Sequence, residues 1–104
     1  MLSGPGFRTV SRSNDELSVV APIGDINGHQ GIFQKIDSGW TCFKLHGPFA
    51  FDELGIVAAL AQPLLKAEIG IFVVSTFDTD YILVKQDDAD AAATAWKQDG
   101  HTVD

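Results

Sequence analysis

Ser75-Thr76-Phe77-Asp78-Thr79-Asp80 sets two carboxylates and two threonine hydroxyls between two apolar runs, IFVVS before it and YILVK after it. Carboxylates at that spacing can act as an acid and base pair, or they can seat a cation. A second polar stretch, Phe51-Asp52-Glu53-Leu54-Gly55, opens the run IVAALAQPLLK. Acids ahead of an amphipathic run mark a helix start, where the first N–H groups lack intrahelical partners and attract an anion. Gly55 has no Cβ, so a ligand can approach the backbone closely there. An ammonium seat beside a carboxylate seat describes a site for a free amino acid. The acids Glu53, Asp78 and Asp80 favour a basic side chain on it.

Catalysis has less to build on. His29, His46 and His101 are far apart and share no metal-ligand spacing, so each reads as a surface or edge histidine. Ser18 and Ser75 have no neighbouring base to activate them. Asp78 and Asp80 are accompanied by no further catalytic group. The expectation is therefore no enzyme, no metal and no cofactor. Cys42 is the only cysteine, so no intrachain disulfide can form. Flanked by Trp40 and Phe43, it reads as a buried strand thiol.

Charge and hydropathy narrow the partners. Fourteen acidic against seven basic residues give a formal net charge of −7. The few cations are scattered, which argues against nucleic acid and anionic membranes. No segment approaches the length of a membrane span, and MLSGPGF carries no apolar signal core. A cytoplasmic setting follows as the expectation.

The elements that must position these residues can be read in order. FRTVSRS and ELSVVAPI flank the turn dipeptide Asn14-Asp15 and predict a hairpin. Residues 24–39 are polar and glycine-punctuated, a linker with one helical turn around Ile32, Phe33 and Ile36. WTCFKLHG predicts a strand. A helix follows, capped by Asp52, with Ile56, Leu60, Leu64 and Ala67 as its apolar stripe and Val57 and Ala61 widening it. Pro63 should bend it or loosen its last turn. IGIFVVS, apolar on both faces, predicts a central strand. TDYILVK is the next strand, and QDDADAAATAWKQDG is a second helix with acids at its start and Gly100 at its end. HTVD leaves room for a short final strand. The order from Trp40 onward is βαββαβ, and two interleaved right-handed halves give an α+β, ferredoxin-like domain with both helices on one face. The division is residues 1–39 and residues 40–104.

Residues 51–88, FDELGIVAALAQPLLKAEIGIFVVSTFDTDYILVKQDD, resemble the second repeat of the small paired ACT-domain proteins, bacterial relatives of the vertebrate cytosolic arginine sensor. SNDELSVVAP and GWTCFKLHGPFAF extend the likeness upstream. The resemblance implies a regulatory module that binds an amino acid at an interface between two ACT units, and a site of Ser18, Val19, Glu53, Gly55, Thr76, Phe77 and Asp80. It also implies that residues 1–39 are a partial first unit, reduced to its hairpin. An incomplete unit with a free edge strand predicts a homodimer. Each residue has a plainer role too: Asp52 and Glu53 as helix caps, Gly55 for close packing, Asp78 and Thr79 as turn residues, Ser18 as an edge residue. The alternative function is a ligand-free assembly module on the same fold.

Overall fold

The computed structural model describes residues 6–45 and 55–103. The chain divides into two compact units, Met1–Ser38 and Gly39–Asp104.

In the first unit, β1 (Thr9–Arg12) pairs antiparallel with β2 (Leu17–Val20), with Val10 opposite Val19 and Ser11 opposite Ser18. The turn is closed by Ser13, whose N–H donates to the Glu16 carbonyl at 2.8 Å. Its hydroxyl accepts from the N–H groups of Asp15 and Glu16. A serine at this position supplies the acceptor that a short polar turn lacks in its own backbone. The single helical turn α1 (Ile23–Ile26) and a 3₁₀ turn (Gln30–Ile32) follow. Arg8 grips Asp25 as a fork, Nε to one carboxylate oxygen at 2.5 Å and an Nη to the other at 3.2 Å. That hydrogen bonding, with the attraction of the opposite charges, holds the Asp25 pKa below and the Arg8 pKa above their ordinary values, against a smaller opposing effect of burial.

The second unit holds β3 (Trp40–Lys44), α2 (Ile56–Lys66), β4 (Phe72–Ser75), β5 (Asp80–Lys85) and α3 (Ala89–Gln98), with a 3₁₀ turn Gln86–Asp88 ahead of α3. The sheet is antiparallel in the order β3-β5-β4. Phe43, Ile82 and Val73 stand in register across it and pack toward the core, where Leu45, Leu64, Ile69, Val84, Ala92 and Trp96 are buried. Trp96 meets Phe43 edge to face, with ring centroids 4.9 Å apart. Its indole N–H donates to the Leu60 carbonyl at 2.8 Å, tying α3 to α2. A buried indole needs such a partner, and this one lies in the turn just before Pro63.

Both helices end in the same hydrogen-bonded wrap. At the end of α2, Glu68 donates its N–H to the Leu65 carbonyl and Ile69 donates to Leu64. At the end of α3, Gly100 donates to Lys97 and His101 donates to Trp96. This wrap needs a left-handed residue just past the helix. Gly100 (φ 92°) supplies it as expected, and Glu68 (φ 59°) supplies it where no glycine is at hand. The apolar pair that accompanies the wrap at α2, Leu64 with Ile69, is part of the core.

Several expectations are corrected. The helix starts at Ile56, and Gly55, left-handed at φ 82°, occupies the cap position with no side-chain cap bond. Asp52, the expected cap, lies outside the described residues. IFVVS lies at the sheet's edge. The central strand is β5, where Ile82 and Val84 are buried on the helix side and Leu83 on the other, opposite Cys42 and Phe72. Phe72 is exposed and Val73 and Val74 are only half-buried, so an apolar run on both faces does not by itself mark a central strand. Cys42 is exposed, because it alternates away from Phe43 and the core; its partly desolvated thiol has a raised pKa. Residues 101–103 form no strand.

Candidate functional site

The turn between β4 and β5 is built by its two threonines. The Thr76 N–H donates to the Thr79 carbonyl at 2.8 Å, and the Thr76 hydroxyl donates to the same oxygen at 2.9 Å. Phe77 and Asp78 form the exposed tip, with Phe77 92% exposed. The backbone closure matches that of the first unit's hairpin, with Thr76 in the part of Ser13. The Thr79 side chain is turned elsewhere: its hydroxyl donates to the Leu45 carbonyl at 2.7 Å. Next to it, the Leu45 N–H donates to the Asp80 carbonyl at 3.0 Å. The end of β3 and the hairpin corner are thereby fastened together at one end of the sheet. Asp80 shares the parity of Ile82 and Val84 and so sits on the helix-covered face of β5, half-buried.

The first helical hydrogen bond of α2 runs from the Ala59 N–H to the Gly55 carbonyl at 2.7 Å. The N–H groups of Ile56, Val57 and Ala58 therefore lie at the positive end of the helix dipole without intrahelical acceptors. No described atom lies within 4 Å of a Cβ added at Gly55, so its left-handed backbone calls for glycine rather than close packing.

Between Leu45 at the end of β3 and Ile56 at the start of α2 opens a groove of about 510 Å³. Ala59 and Leu60 of α2, Ile82 of β5 and Trp96 of α3 line it. Three consecutive β3 residues, 42–44, also line it together with Leu45 just past the strand, and residues 101–103 form a further part of the wall. Side chains 42 and 44 point to one face of the sheet and 43 and 45 to the other, so the strand's outer edge itself faces the groove.

The sequence-predicted residues divide accordingly. Gly55 stands at the helix mouth, and Thr76, Phe77 and Asp80 belong to the hairpin fastened to Leu45. The Thr76 hydroxyl is engaged in its own turn, and Phe77 projects from the tip. Ser18 and Val19 lie on β2 of the first unit, both half-buried. Glu53 lies outside the described residues. Sequence reasoning passed over Leu45, Leu60, Trp96 and His101. The signal for Trp96 was present, a single aromatic on an alanine-rich helix; Leu60 was read only as part of the α2 stripe and His101 only as a surface or edge histidine, and nothing local marked Leu45. Among the described residues no cluster of metal-ligating side chains forms, and no helix is long and apolar enough to cross a membrane.

Comparison with known proteins bears on this geometry. Residues 35–97 match the sequence profile of the ACT domain. A segment of the chain is 45% identical over 49 residues to subunit 1 of the cytosolic arginine sensor for mTORC1 from Homo sapiens and from Bos taurus, covering 46% of this chain and 15% of each relative. The match thus spans only a small part of those relatives' length. Among solved structures, protein Atu0741 from Agobacterium tumefaciens is similar with a TM-score of 0.82 and 46% identity, over 96% of this chain and 72% of that one. Protein VC0802 from Vibrio cholerae shares the fold with a TM-score of 0.69 at 21% identity, over 84% and 64%. With a profile match that runs from before β3 into α3, the chain belongs to the ACT-domain family.

Proposed function

We propose that this chain is a non-catalytic regulatory module that binds a free amino acid at an interface between two ACT units. The observation that carries this reading is the double tie from Leu45 to Thr79 and Asp80. It fastens the acid-bearing hairpin to the end of β3 that borders the same groove as the α2 entrance. The N–H groups of the first α2 turn receive the ligand carboxylate, and Asp80 receives its ammonium group. Thr76 and Phe77 shape the hairpin side, Glu53 contributes from the segment ahead of α2, and Ser18 and Val19 contribute from a first-unit hairpin. Similarity to an arginine sensor supports an amino acid as the ligand and a cytoplasmic setting. The first unit's hairpin, closed at Ser13 as the second is at Thr76, acts as a partial ACT unit. It completes the interface in a homodimer, without nucleic acid or membrane.

Thermal-shift screening against the twenty amino acids tests the reading. A ligand at one hundred times its dissociation constant should stabilise the fold by about 2.7 kcal/mol. Asp80→Asn should weaken that ligand by one to two orders of magnitude, the value of an opposite charge in a partly buried site, about 1–3 kcal/mol. Unchanged affinity would remove Asp80 as the ammonium partner.

A second reading, a ligand-free assembly module, is favoured by the exposed apolar side chains Leu65 on α2, Phe72 on β4 and Phe77 at the hairpin tip. β4 is an outer strand among the described residues, and a strand edge with apolar neighbours is a pairing surface. A uniformly flat amino-acid screen would select it.

A further inference from the structure

We infer that the amino acid taken by this site carries an apolar side chain, seated in the groove between the outer edge of β3 and the first turns of α2. The inference rests on the amino-acid reading above and concerns what that reading leaves open, the side chain. The groove's volume of about 510 Å³ falls in the range of small-molecule sites, roughly 300–1,000 Å³. It adjoins the α2 entrance, because Ile56, the first residue of the helix, lines it. A zwitterion whose carboxylate meets that entrance therefore has this groove beside it for its side chain.

The lining decides the chemistry. Phe43, Leu45, Ile56, Leu60, Trp96 and Val103, all apolar and bulky, make half of the described lining residues. Although the chain carries a net charge of −7, no Asp or Glu is among the described lining residues. The basic residues there are Lys44 and His101. Two of the acids that made a basic ligand attractive stand away from this wall, Asp78 at the exposed hairpin tip and Asp80 outside the groove, and the third, Glu53, lies outside the described residues. Asp99, 3.7 Å from the His101 imidazole, is also outside the lining. A guanidinium or ammonium entering this groove would surrender hydration against apolar walls, and no described lining residue offers it a counter-charge, which is unfavourable. A leucine, methionine or phenylalanine side chain loses nothing and gains burial.

Calorimetric titration of the full chain with L-leucine, L-methionine, L-phenylalanine, L-arginine and L-aspartate tests this. At least one of the three apolar amino acids should bind about tenfold or more tightly than arginine and aspartate. Ala59→Glu sets a carboxylate on the wall from an exposed helix position that a charged residue tolerates. It should weaken the apolar ligand at least about tenfold while the melting temperature of the free protein is retained. Tighter binding of arginine than of any apolar amino acid overturns the inference and leaves the amino-acid site standing. Apolar binding that Ala59→Glu does not alter overturns the groove as its seat. No heat with any amino acid overturns the amino-acid reading itself.

Discussion

Two single residues show local energy set by position rather than by type. Glu68 holds a left-handed backbone at φ 59° because the wrap at the end of α2 requires one there. A side chain with a Cβ is strained in that conformation by about 1–2 kcal/mol. Glu68→Gly removes the strain but adds unfolded-state freedom, so a net gain of about 0.5–1 kcal/mol is expected. In thermal denaturation this should appear as a rise of a few degrees in a domain of this size. At Asp25 the deciding factor is the Arg8 fork, which lowers the carboxyl pKa. A depressed folded-state pKa adds stability above the unfolded value and loses it as pH falls through the folded one. Titrating the Asp25 carboxyl by NMR should give a midpoint below the ordinary aspartate value of about 3.9, and Arg8→Leu should return it toward that value.

At the scale of elements, α2 and α3 hold together by one directed bond and one apolar seam. The indole of Trp96 donates to Leu60 while its ring stands edge-on to Phe43. Trp96→Phe keeps most of the buried ring but leaves the Leu60 carbonyl without this donor, which should cost about 1–3 kcal/mol in denaturant unfolding. The amphipathic stripe of α2 was legible at Ile56, Leu60 and Leu64, because helical period writes the buried face directly into the sequence. The helix start was not. Asp52 is a common cap residue, but the chain enters α2 through Gly55, whose left-handed backbone no propensity rule requires.

At the scale of the whole molecule the proposed interface needs a second copy of the chain. The exposed Leu65, Phe72 and Phe77 and the outer position of β4 favour self-association. Sedimentation across a concentration series should show a dimer that dissociates on dilution. Leu65→Lys should shift the equilibrium toward monomer without lowering the melting temperature of that monomer. A monomer at every concentration would remove the homodimer and, with it, the two-unit site.

The sequence by itself determined the two hairpins and the two helices, through signals carried within about ten residues: alternation, helical period, turn chemistry and a glycine past α3; the family came from a likeness that runs over residues 51–88. Only the tertiary structure decided that β5 rather than β4 is central and that Cys42 faces outward. It also brought Leu45 to Thr79 and Asp80, and lined the groove beside α2, among the described residues, without a carboxylate. Strand order and groove lining are properties of residues that meet across long separations in the chain, as Leu45 meets Thr79. Periodicity reports that a side chain is buried and is silent about which distant neighbour buries it.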